Sequence, residues 1–352
     1  MIALFCPKCK SQLNPAGHDL SCPACKRTWS KKCGIISFID DSYSYGSITK
    51  DQWEEIFQDI SDKSNEEIQS YFLAHKMKGR WPYIQSFRTN KADGTFYLPV
   101  TAKDKVLDIG CGPGSLSVPL AKRAGEVYAV DATLARLRFL ELRAKNEGVS
   151  NIRTFHASAL AMPFQGSSFD HVLMNGVFEY MGEWDQSRPP EVVQKGVLKN
   201  IHGLLKPEGH LFMAIENRYG FDFIYRKRDH SKLYLTSLMP RHLADLVTLA
   251  LRRRPYRTYT YSYRGYLDLF AKEGFKDITI YYAWPSYQDP RFIIPSRNRK
   301  AFTYFLENFL RSSDRTMYLF YTAAFGLGME GHFFSHFIIT AKKGLERGAD
   351  AP

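Results

Sequence analysis

The stretch from Lys105 to Thr133 constrains the fold more than any other part of the chain. It reads KVLDIGCGPGSLSVPLAKRAGEVYAVDAT, in which an apolar run ends in Asp108, three alternating glycines follow, and a second apolar run ends in Asp131. This order predicts a strand, a tight turn, a helix and a second strand. Because glycine has no Cβ, the turn can bring its backbone close to a ligand, and we expect a nucleoside there.

The spacing of the glycines separates two kinds of nucleoside ligand. A dinucleotide fingerprint, G-x-G-x-x-G, would have its third glycine at position 115, but the chain has Ser115 there and Gly114 before it. Asp108 also lies two residues before Gly110, where its charge would oppose a pyrophosphate and suit a cationic or hydroxyl-bearing ligand. NAD is therefore disfavoured, and a glycine-rich turn of some other α/β domain stays as an alternative.

The segments VLDIGCGPG and VYAVDAT resemble the first two motifs of class I S-adenosylmethionine-dependent methyltransferases. The resemblance implies an α/β fold with a Rossmann-like, seven-stranded mixed sheet and helices on both faces. It also implies that S-adenosylmethionine is the cofactor, with Asp108 supporting the methionine moiety indirectly and Asp131 binding the ribose hydroxyls. The cofactor-binding residues that we expect are Asp108, Gly110, Cys111, Gly112, Gly114, Asp131, Ala132, Ser158, Ala159 and Asn175.

One motif departs from the family pattern. The segment ASALAMPF at 157–164 resembles the family's G-D-A-x-x-L-P-F, whose acid accepts a hydrogen bond from the adenine amino group, but Ser158 replaces that acid. A hydroxyl can still accept the bond. We therefore expect weaker cofactor affinity, or help from a backbone donor and Ala159.

Further apolar runs continue the alternation of strands and helices after Asp131. We expect the last strand to be antiparallel, as the resemblance implies. The third to seventh strands are predicted at 151–156, 169–174, 210–215, 278–282 and 332–341.

Two C-x-x-C knuckles lie near the N-terminus, Cys6 with Cys9 and Cys22 with Cys25, separated by twelve residues. This spacing lets both sulfurs of a knuckle reach one tetrahedral ion, and four thiolates leave no position for water, so the pattern predicts a structural zinc site. Four of the six cysteines lie in such pairs, which favours a reducing compartment over a disulfide framework. Cys33 is expected to be a free thiol.

Local sequence signals, together with the resemblance to class I methyltransferases, predict the domain organisation. The zinc ribbon, at residues 1–39, could bind RNA, hold a partner protein or pack on the enzyme. The insertion at about 285–331 is expected to form a small helical lid. We expect a zinc ribbon at 1–39, a helical connector capping the cofactor cleft at 40–100, the methyltransferase domain at 101–342 with insertions at about 218–262 and 285–331, and a disordered tail at 343–352.

The charge of the chain is concentrated in the first insertion. The net charge is +12, and residues 218–264 alone carry eleven Lys or Arg and three Asp. Such a positive face could attract phosphate, anionic lipid or nucleic acid. The N-terminus lacks the apolar core of a secretory signal, so we expect a cytoplasmic location. Charged residues and glycines interrupt the apolar stretch Met317–Thr340, so we expect no transmembrane segment.

Two acids follow predicted strands, Glu179 after the fourth and Glu216 at the end of the fifth. Ligands of open α/β sheets bind at the carboxyl ends of strands. Methyl transfer to a hydroxyl needs the nucleophile ~3–3.5 Å from the methyl carbon and benefits from a general base, but needs no metal. We expect Glu216 or Glu179 to be that base, with His230 as the next choice. Alternatively, these acids bind loop amides or pair with Arg218.

The segments IENRYG, RTYTYS, EGF and YYAWPSYQDPRFIIP resemble a bacterial subgroup of these methyltransferases that is linked to glycan and secondary-metabolite assembly. The resemblance favours O-methylation of a sugar or other small metabolite, with the arginine-rich insertion holding a phosphate or carboxylate of the substrate. One alternative is an RNA methyltransferase, although no N-P-P-Y-like motif follows the fourth strand. Another is a non-catalytic binding module. The acceptor and the oligomeric state are left open.

Overall fold

The computed structural model describes residues 2–39, 48–75, 78–88, 90–225 and 227–344. The chain divides into two compact units, which are described separately. Unit 1 comprises Met1–Met174 and Gly203–His210, and unit 2 comprises Asn175–His202 and Leu211–Pro352.

Unit 1 contains a sheet with the strand order β9-β6-β7-β8-β5-β4 and a separate three-stranded sheet, β1-β2-β3. The strands are β1 (Asn14–Ala16), β2 (Asp19–Ser21), β3 (Thr28–Trp29), β4 (Lys31–Lys32), β5 (Ile35–Ser37), β6 (Lys105–Ile109), β7 (Glu126–Asp131), β8 (Ile152–His156) and β9 (Phe169–Asn175). The helices are α1 (Lys50–Ile60), α2 (Asn65–Ala74), α3 (Trp81–Ser86), a 3₁₀ helix (Asn90–Tyr97), α4 (Ser117–Ala121) and α5 (Leu134–Asn146).

The centre of this sheet is parallel, with β6 pairing β7 on one side and β9 on the other. Val106, Leu107 and Ile109 of β6 are almost completely buried. Parallel strands are covered on both faces and therefore read as continuous apolar runs, which is why β6 could be recognised in the sequence.

The helices of the connector belong to unit 1 and pack there in one apolar cluster. Thr49 and Ser64 cap α1 and α2, each through a reciprocal capping box. Trp53 and Ile56 of α1 then pack with Phe72, Tyr83 and Phe139 in this cluster. These aromatic residues are therefore part of the core of unit 1.

The tail of the zinc-ribbon segment continues the sheet of unit 1. β5 pairs in parallel with β8, with Ile36 opposite Phe155 and Ser37 opposite His156, and β4 pairs with β5. Ile35 is buried in the same cluster as Cys111 and Leu140. These two strands are additional to the seven predicted, and the domain boundary at residue 39 stays a prediction.

Unit 2 contains a sheet with the strand order β12-β11-β13-β10. Its strands are β10 (Leu205–Glu216, which begins in unit 1), β11 (Phe275–Trp284), β12 (Phe292–Pro295) and β13 (His336–Lys343). Its helices are α6 (Met181–Trp184), α7 (Pro190–Leu204, which ends in unit 1), α8 (Phe221–Tyr225), α9 (Arg241–Arg252), α10 (Tyr263–Lys272), α11 (Arg299–Phe305), a π-helix (Leu306–Leu310), α12 (Arg311–Ser313), α13 (Arg315–Gly326) and α14 (Glu330–Phe333), with 3₁₀ turns at Phe178–Tyr180 and Thr236–Leu238.

All seven predicted strands are present, as β6 to β11 and β13, and the predicted α/β fold is confirmed. The segment 285–331 is not purely helical, because β12 pairs antiparallel with β11 before the helices begin. The seventh strand begins at His336 and not at residue 332, since α14 occupies Glu330–Phe333. β10 begins at Leu205 and not at residue 210, so it includes Glu208. The φ angle of Glu208, +62°, departs from strand geometry and marks an irregularity inside β10.

Across the described ranges, none of the helices combines the length and the apolar composition that crossing a bilayer would require. The predicted tail lies mostly outside the described residues, as do residues 40–47 of the connector.

Candidate cofactor and active sites

The glycine loop follows β6 directly, and all three of its glycines are left-handed. Their φ angles are +69° at Gly110, +55° at Gly112 and +82° at Gly114. The amides of Gly110 and Cys111 donate to the carbonyl of Val130, at 2.7 and 3.0 Å. The loop is therefore fixed to the end of β7 by backbone bonds.

Gly112 and Gly114 lack a side chain for different reasons. A Cβ on Gly114 would overlap Cδ1 of Leu140 in α5, whereas a Cβ on Gly112 would have none of the described atoms within 4 Å. Arg143 of α5 also donates to the carbonyl of Gly114, at 3.0 Å. Gly114 thus permits close packing of the loop on α5, while Gly112 faces open space.

The carboxylate of Asp131 organises the same loop. It accepts hydrogen bonds from the amide of Gly112 at 2.9 Å and from that of Thr133 at 2.8 Å, and it is almost fully buried. Arg136 lies 3.9 Å from it. The two carboxylate oxygens of Asp131 thus hold the glycine loop and Thr133, two residues after β7, in place. The role of Asp131 in binding ribose stays a prediction.

Asp108 is buried beneath the loop and accepts a hydrogen bond of 2.6 Å from the hydroxyl of Ser117. Burial raises the pKa of Asp108 to about 6, the nearby charge of Asp131 acts in the same direction, and the Ser117 bond and Lys91 oppose it. Burial also lowers the pKa of Lys91 to about 8. Lys91 was not predicted, because nothing in its local sequence marks a lysine of the connector as a neighbour of Asp108.

The remaining expected cofactor residues lie in several places. Ser158 Oγ accepts a hydrogen bond from the amide of Leu160 at 3.2 Å, so the hydroxyl caps its own turn. His156 Nε2 donates to the carbonyl of Ala132 at 3.1 Å, and His156 Nδ1 lies 2.8 Å from Ser37 Oγ. Ala159 is partly buried. The side chain of Cys111 packs in the core, and Asn175 belongs to unit 2.

The four predicted zinc ligands come together in unit 1. The sulfurs of Cys6, Cys9, Cys22 and Cys25 all lie within 4.8 Å of one another, and two of the separations are 3.7 Å and 3.3 Å. A tetrahedral zinc ion with Zn–S bonds of about 2.3 Å places its sulfurs ~3.8 Å apart, so the cluster fits such an ion.

The two knuckles also have matching backbones. Lys10 and Lys26 are both left-handed, at φ +60° and +59°, and each donates its amide to the carbonyl of the first cysteine of its knuckle. The amide of Cys25 lowers the pKa of Cys22 to about 6. Cys33 is exposed and lies outside the cluster found among the described residues.

In unit 2, Glu179, Glu216 and His230 form a second cluster, whose ligand atoms lie within 4.8 Å of one another. Glu179 is completely buried, and within the described ranges neither of its carboxylate oxygens has a hydrogen-bond partner. Glu216 and His230 lie 3.5 Å apart as an ion pair. The structure therefore brings all three expected catalytic residues together, although their role stays a prediction.

The electrostatics of this cluster separate its two acids. Burial, reinforced by the charge of Glu216, raises the pKa of Glu179 to about 8. Burial alone would raise that of Glu216 too, but the charge of His230 holds the pKa of Glu216 at about 2. Burial disfavours the charged His230, yet Glu216 raises the pKa of the imidazole to about 9. Glu216 and His230 are thus an ionised pair beside a carboxyl that holds its proton more tightly.

Two tyrosines hold the cluster from outside. Tyr287 donates to Glu216 Oε1 at 3.1 Å, and the hydroxyl of Tyr180 lies 2.9 Å from His230 Nδ1. A Cβ on Gly176 would lie 2.7 Å from the Tyr287 hydroxyl, so this position requires glycine. Neither Tyr287 nor Gly176 was predicted, since Tyr287 is distant in sequence from both acids.

Several arginines of the basic insertion bind backbone carbonyl groups. Arg218 donates to the carbonyls of Ser237 and Met239, and the ion pair that Glu216 forms in the described residues is with His230. Arg241 donates to the carbonyl of Thr260. Arg257 donates to one carbonyl within α6, that of Gly182, and to those of Asp185 and Arg188 in the loop after it. Arg252, Arg253 and Arg254 at the end of α9 are exposed.

Comparison with known proteins gives matches to methyltransferases over about a third of this chain. A 23S rRNA (uracil(1939)-C(5))-methyltransferase of Aeromonas salmonicida is 34% identical over 29% of this chain and 25% of its own length. A ubiquinone biosynthesis O-methyltransferase of Acinetobacter baylyi is 30% identical over 35% of this chain and 48% of its own. The chain thus spans half or less of the length of these curated relatives.

Among solved structures, a SAM-dependent methyltransferase of Thermotoga maritima is similar over 82% of this chain and 99% of that one, at 15% identity and a TM-score of 0.45. A family model described as a methyltransferase domain matches residues 106–209, which include the glycine loop, β7 to β9 and the first part of β10. Residues 106–209 of this chain are therefore similar in sequence to methyltransferase domains.

Proposed function

We propose that the protein is an S-adenosylmethionine-dependent methyltransferase that methylates a hydroxyl group of a sugar or other small metabolite bearing an anionic group. The match of residues 106–209 to a methyltransferase domain and the left-handed glycine loop with Asp108 and Asp131 support the cofactor. One relative, which matches 35% of this chain, carries the name of an O-methyltransferase. The observation that carries the proposal for a hydroxyl acceptor is Glu179, a buried carboxyl that lacks a hydrogen-bond partner in the described ranges.

In this proposal the cofactor is held by Gly110, Gly112, Asp131 and neighbouring residues, and it supplies an electrophilic methyl group on a sulfonium. In its ionised form, which predominates above its pKa of about 8, Glu179 accepts the proton of the acceptor hydroxyl as the new O–C bond forms and the sulfur–methyl bond breaks. Because Glu216 is ionised and paired with His230, it does not compete for that proton. Tyr287 keeps Glu216 in place.

The anionic group of the substrate would bind to the basic insertion. Arg218, Arg241, Arg252 and Arg257 all donate to backbone carbonyl groups. The exposed Arg253 and Arg254 are therefore the candidates for this contact. Arginine suits phosphate and carboxylate because its planar fork can form two parallel hydrogen bonds.

The test is transfer of a labelled methyl group from S-adenosylmethionine to sugar phosphates, with the unphosphorylated sugars as controls. We expect transfer to the phosphorylated set, and we expect Glu179→Gln to bind the cofactor as the native protein does while losing turnover. Glu216→Gln should also lose turnover, and a Glu216→Gln variant with full turnover would remove Glu216 from the mechanism. Glu307→Gln, an exposed acid of the π-helix, is the matched control and should retain activity.

A second candidate function is methylation of RNA, which the exposed Arg252–Arg254 run and the net charge of +12 favour. Another relative, which matches 29% of this chain, carries the name of an rRNA methyltransferase. RNA binding that falls steeply with salt, together with label in RNA but not in sugars, would favour this function. Failure to bind the cofactor would instead favour a non-catalytic module.

We also propose that Cys6, Cys9, Cys22 and Cys25 hold a structural zinc ion in a ribbon formed by residues 1–39. The four sulfurs fit a closed tetrahedral shell, which leaves no position for a reacting water. Because such a site needs reduced thiolates, we propose a cytoplasmic location. Metal analysis of the purified protein should find one zinc per chain.

A further inference from the structure

In the cluster of Glu179, Glu216 and His230, some polar side-chain atoms have a hydrogen-bond partner and others have none among the described residues. Glu216 Oε1 is bound by Tyr287, and His230 Nδ1 lies 2.9 Å from the hydroxyl of Tyr180. The other atoms of the cluster are buried and, in the described part of the chain, have no hydrogen-bond partner: both oxygens of Glu179, Oε2 of Glu216 and Nε2 of His230. One ligand atom from each of the three residues lies within 4.8 Å of the other two, and two of the unpartnered atoms, Glu216 Oε2 and His230 Nε2, are 3.5 Å apart.

The charges inside the cluster do not satisfy these atoms. The 3.5 Å between Glu216 Oε2 and His230 Nε2 is longer than the ~2.7–2.9 Å of a charge-assisted hydrogen bond. Protonation would neutralise Glu179 but would still leave a buried O–H and a buried carbonyl oxygen unpaired. Since buried polar groups are strongly destabilising without partners, this arrangement calls for a bound group at its centre.

A divalent cation fits the atoms and their spacing. Oxygen and imidazole ligands at about 2.0–2.2 Å from one ion lie ~3 Å apart when adjacent and ~4.2 Å apart when opposite, so small side-chain movements would close the present cluster on an ion. Metal-binding histidines commonly donate their other ring N–H to a neighbouring acceptor, and metal-binding carboxylates are themselves hydrogen-bonded. Tyr180 and Tyr287 occupy those two outer positions.

We propose that Glu179, Glu216 and His230 bind a divalent first-row transition metal ion, separate from the zinc of the cysteine cluster. Two carboxylates and one imidazole are an oxygen-rich donor set for Mn²⁺ or Fe²⁺, and they differ from the four thiolates that select zinc in the ribbon. Three protein ligands leave positions open for water or for an oxygen of a substrate.

The ion would change how the acceptor is activated, and this consequence rests on the proposed function. A hydroxyl oxygen bound to a divalent cation loses its proton more easily. One oxygen of Glu179 would ligate the ion and the other would remain free to accept that proton. The metal would thus select acceptors that offer an oxygen ligand.

The experiment is a titration of the full chain, with its ribbon loaded with zinc, with Mn²⁺ followed by electron paramagnetic resonance. Mn²⁺ is chosen because it competes poorly for thiolates. We expect one site per chain, a loss of affinity of at least about tenfold in Glu179→Gln and in His230→Ala, and a loss of roughly tenfold in Tyr287→Phe, which removes only an outer hydrogen bond. Glu307→Gln is the control and should bind as the native protein does.

Absence of a Mn²⁺ site at millimolar concentration, or binding that Glu179→Gln leaves unchanged, overturns the inference. Thermal melting and cofactor affinity of each variant show whether it is folded, and Tyr287→Phe provides a variant with all three ligands intact. The result also separates the two proposals. Metal binding without methyl transfer would contradict the proposed function alone, and methyl transfer by a protein that binds no Mn²⁺ would contradict the metal site alone.

Discussion

The hydroxyl of Tyr287 donates to Glu216 Oε1 across 3.1 Å, which ties the segment after β11 to the end of β10. The Tyr287 ring can approach only because residue 176 has no side chain. The position of one acid of the cluster therefore depends on a glycine that touches neither the acid nor any expected ligand.

Replacing Gly176 with alanine tests this dependence. The new Cβ would lie 2.7 Å from the Tyr287 hydroxyl, at a residue whose φ is +64°. We expect the free energy of unfolding to fall by about 1–3 kcal/mol and methyl transfer to be lost as Tyr287 moves. The matched control is Gly196→Ala inside α7, where a Cβ meets none of the described atoms, and which should gain about 0.5–1 kcal/mol. Equal stability of both variants in denaturant unfolding would contradict this account.

Replacing Gly112 or Gly114 of the loop with alanine should have different effects on stability and on cofactor binding. Gly114→Ala would overlap Leu140 and is expected to destabilise the protein by roughly 1–3 kcal/mol from overpacking, in addition to its backbone strain. Gly112→Ala should lose only the ~1–2 kcal/mol of left-handed strain but should bind S-adenosylmethionine more weakly.

Gly148→Ala is the control for that second variant, because its φ of +66° and its open surroundings match those of Gly112. Calorimetric titration with the cofactor should find weaker binding in Gly112→Ala alone. Equal cofactor affinity in these two variants would mean that position 112 does not face the ligand.

Asp108→Asn should make stability depend less on pH. The folded pKa of Asp108, about 6, lies above the ordinary value of about 3.9, so the folded protein holds this proton more tightly than the unfolded chain does. The stability that the protonated form contributes is therefore lost as pH rises from about 4 through 6, by about 2–3 kcal/mol. We expect Asp108→Asn to melt higher than the native protein at pH 8, with the difference vanishing near pH 4, while its cofactor affinity falls. If the melting temperatures of Asp108→Asn and the native protein differed by the same amount at pH 4 and at pH 8, burial of an ionised Asp108 would not be the cause.

Cys9→Ser should remove zinc from the N-terminal segment, since the fourth ligand of the cluster is lost. Cys33→Ser offers a matched comparison, because Cys33 is exposed and outside the cluster. We expect the first variant to contain far less than one zinc per chain and to melt at a lower temperature, and the second to keep both properties. Zinc measured by atomic absorption in the two proteins decides between a cluster site and adventitious binding.

The sequence predicted the elements whose signals are local. β6 and β7 were recognisable because a buried parallel strand is apolar throughout, and Glu179 and Glu216 because acids follow two such strands. The four cysteines were recognisable by spacing alone.

Features that depend on distant residues were missed. β5 and β12 have three and four residues, and their strand character comes from pairing with β8 and β11. Lys91 and Tyr287 act on Asp108 and Glu216 from other segments, so only the folded chain shows them as neighbours.

The pairing of β5 with β8 bears on how this protein can be shortened. With β5 in place, the backbone groups of β8 beside Phe155 and His156 are covered by Ile36 and Ser37. A form that lacks residues 1–38 would uncover this row of amides and carbonyls, and an open strand edge is a template for pairing with another chain. We therefore expect the N-terminal segment to protect β8 from pairing with another chain, and we expect its deletion to yield a protein that precipitates even where residues 106–209 remain folded.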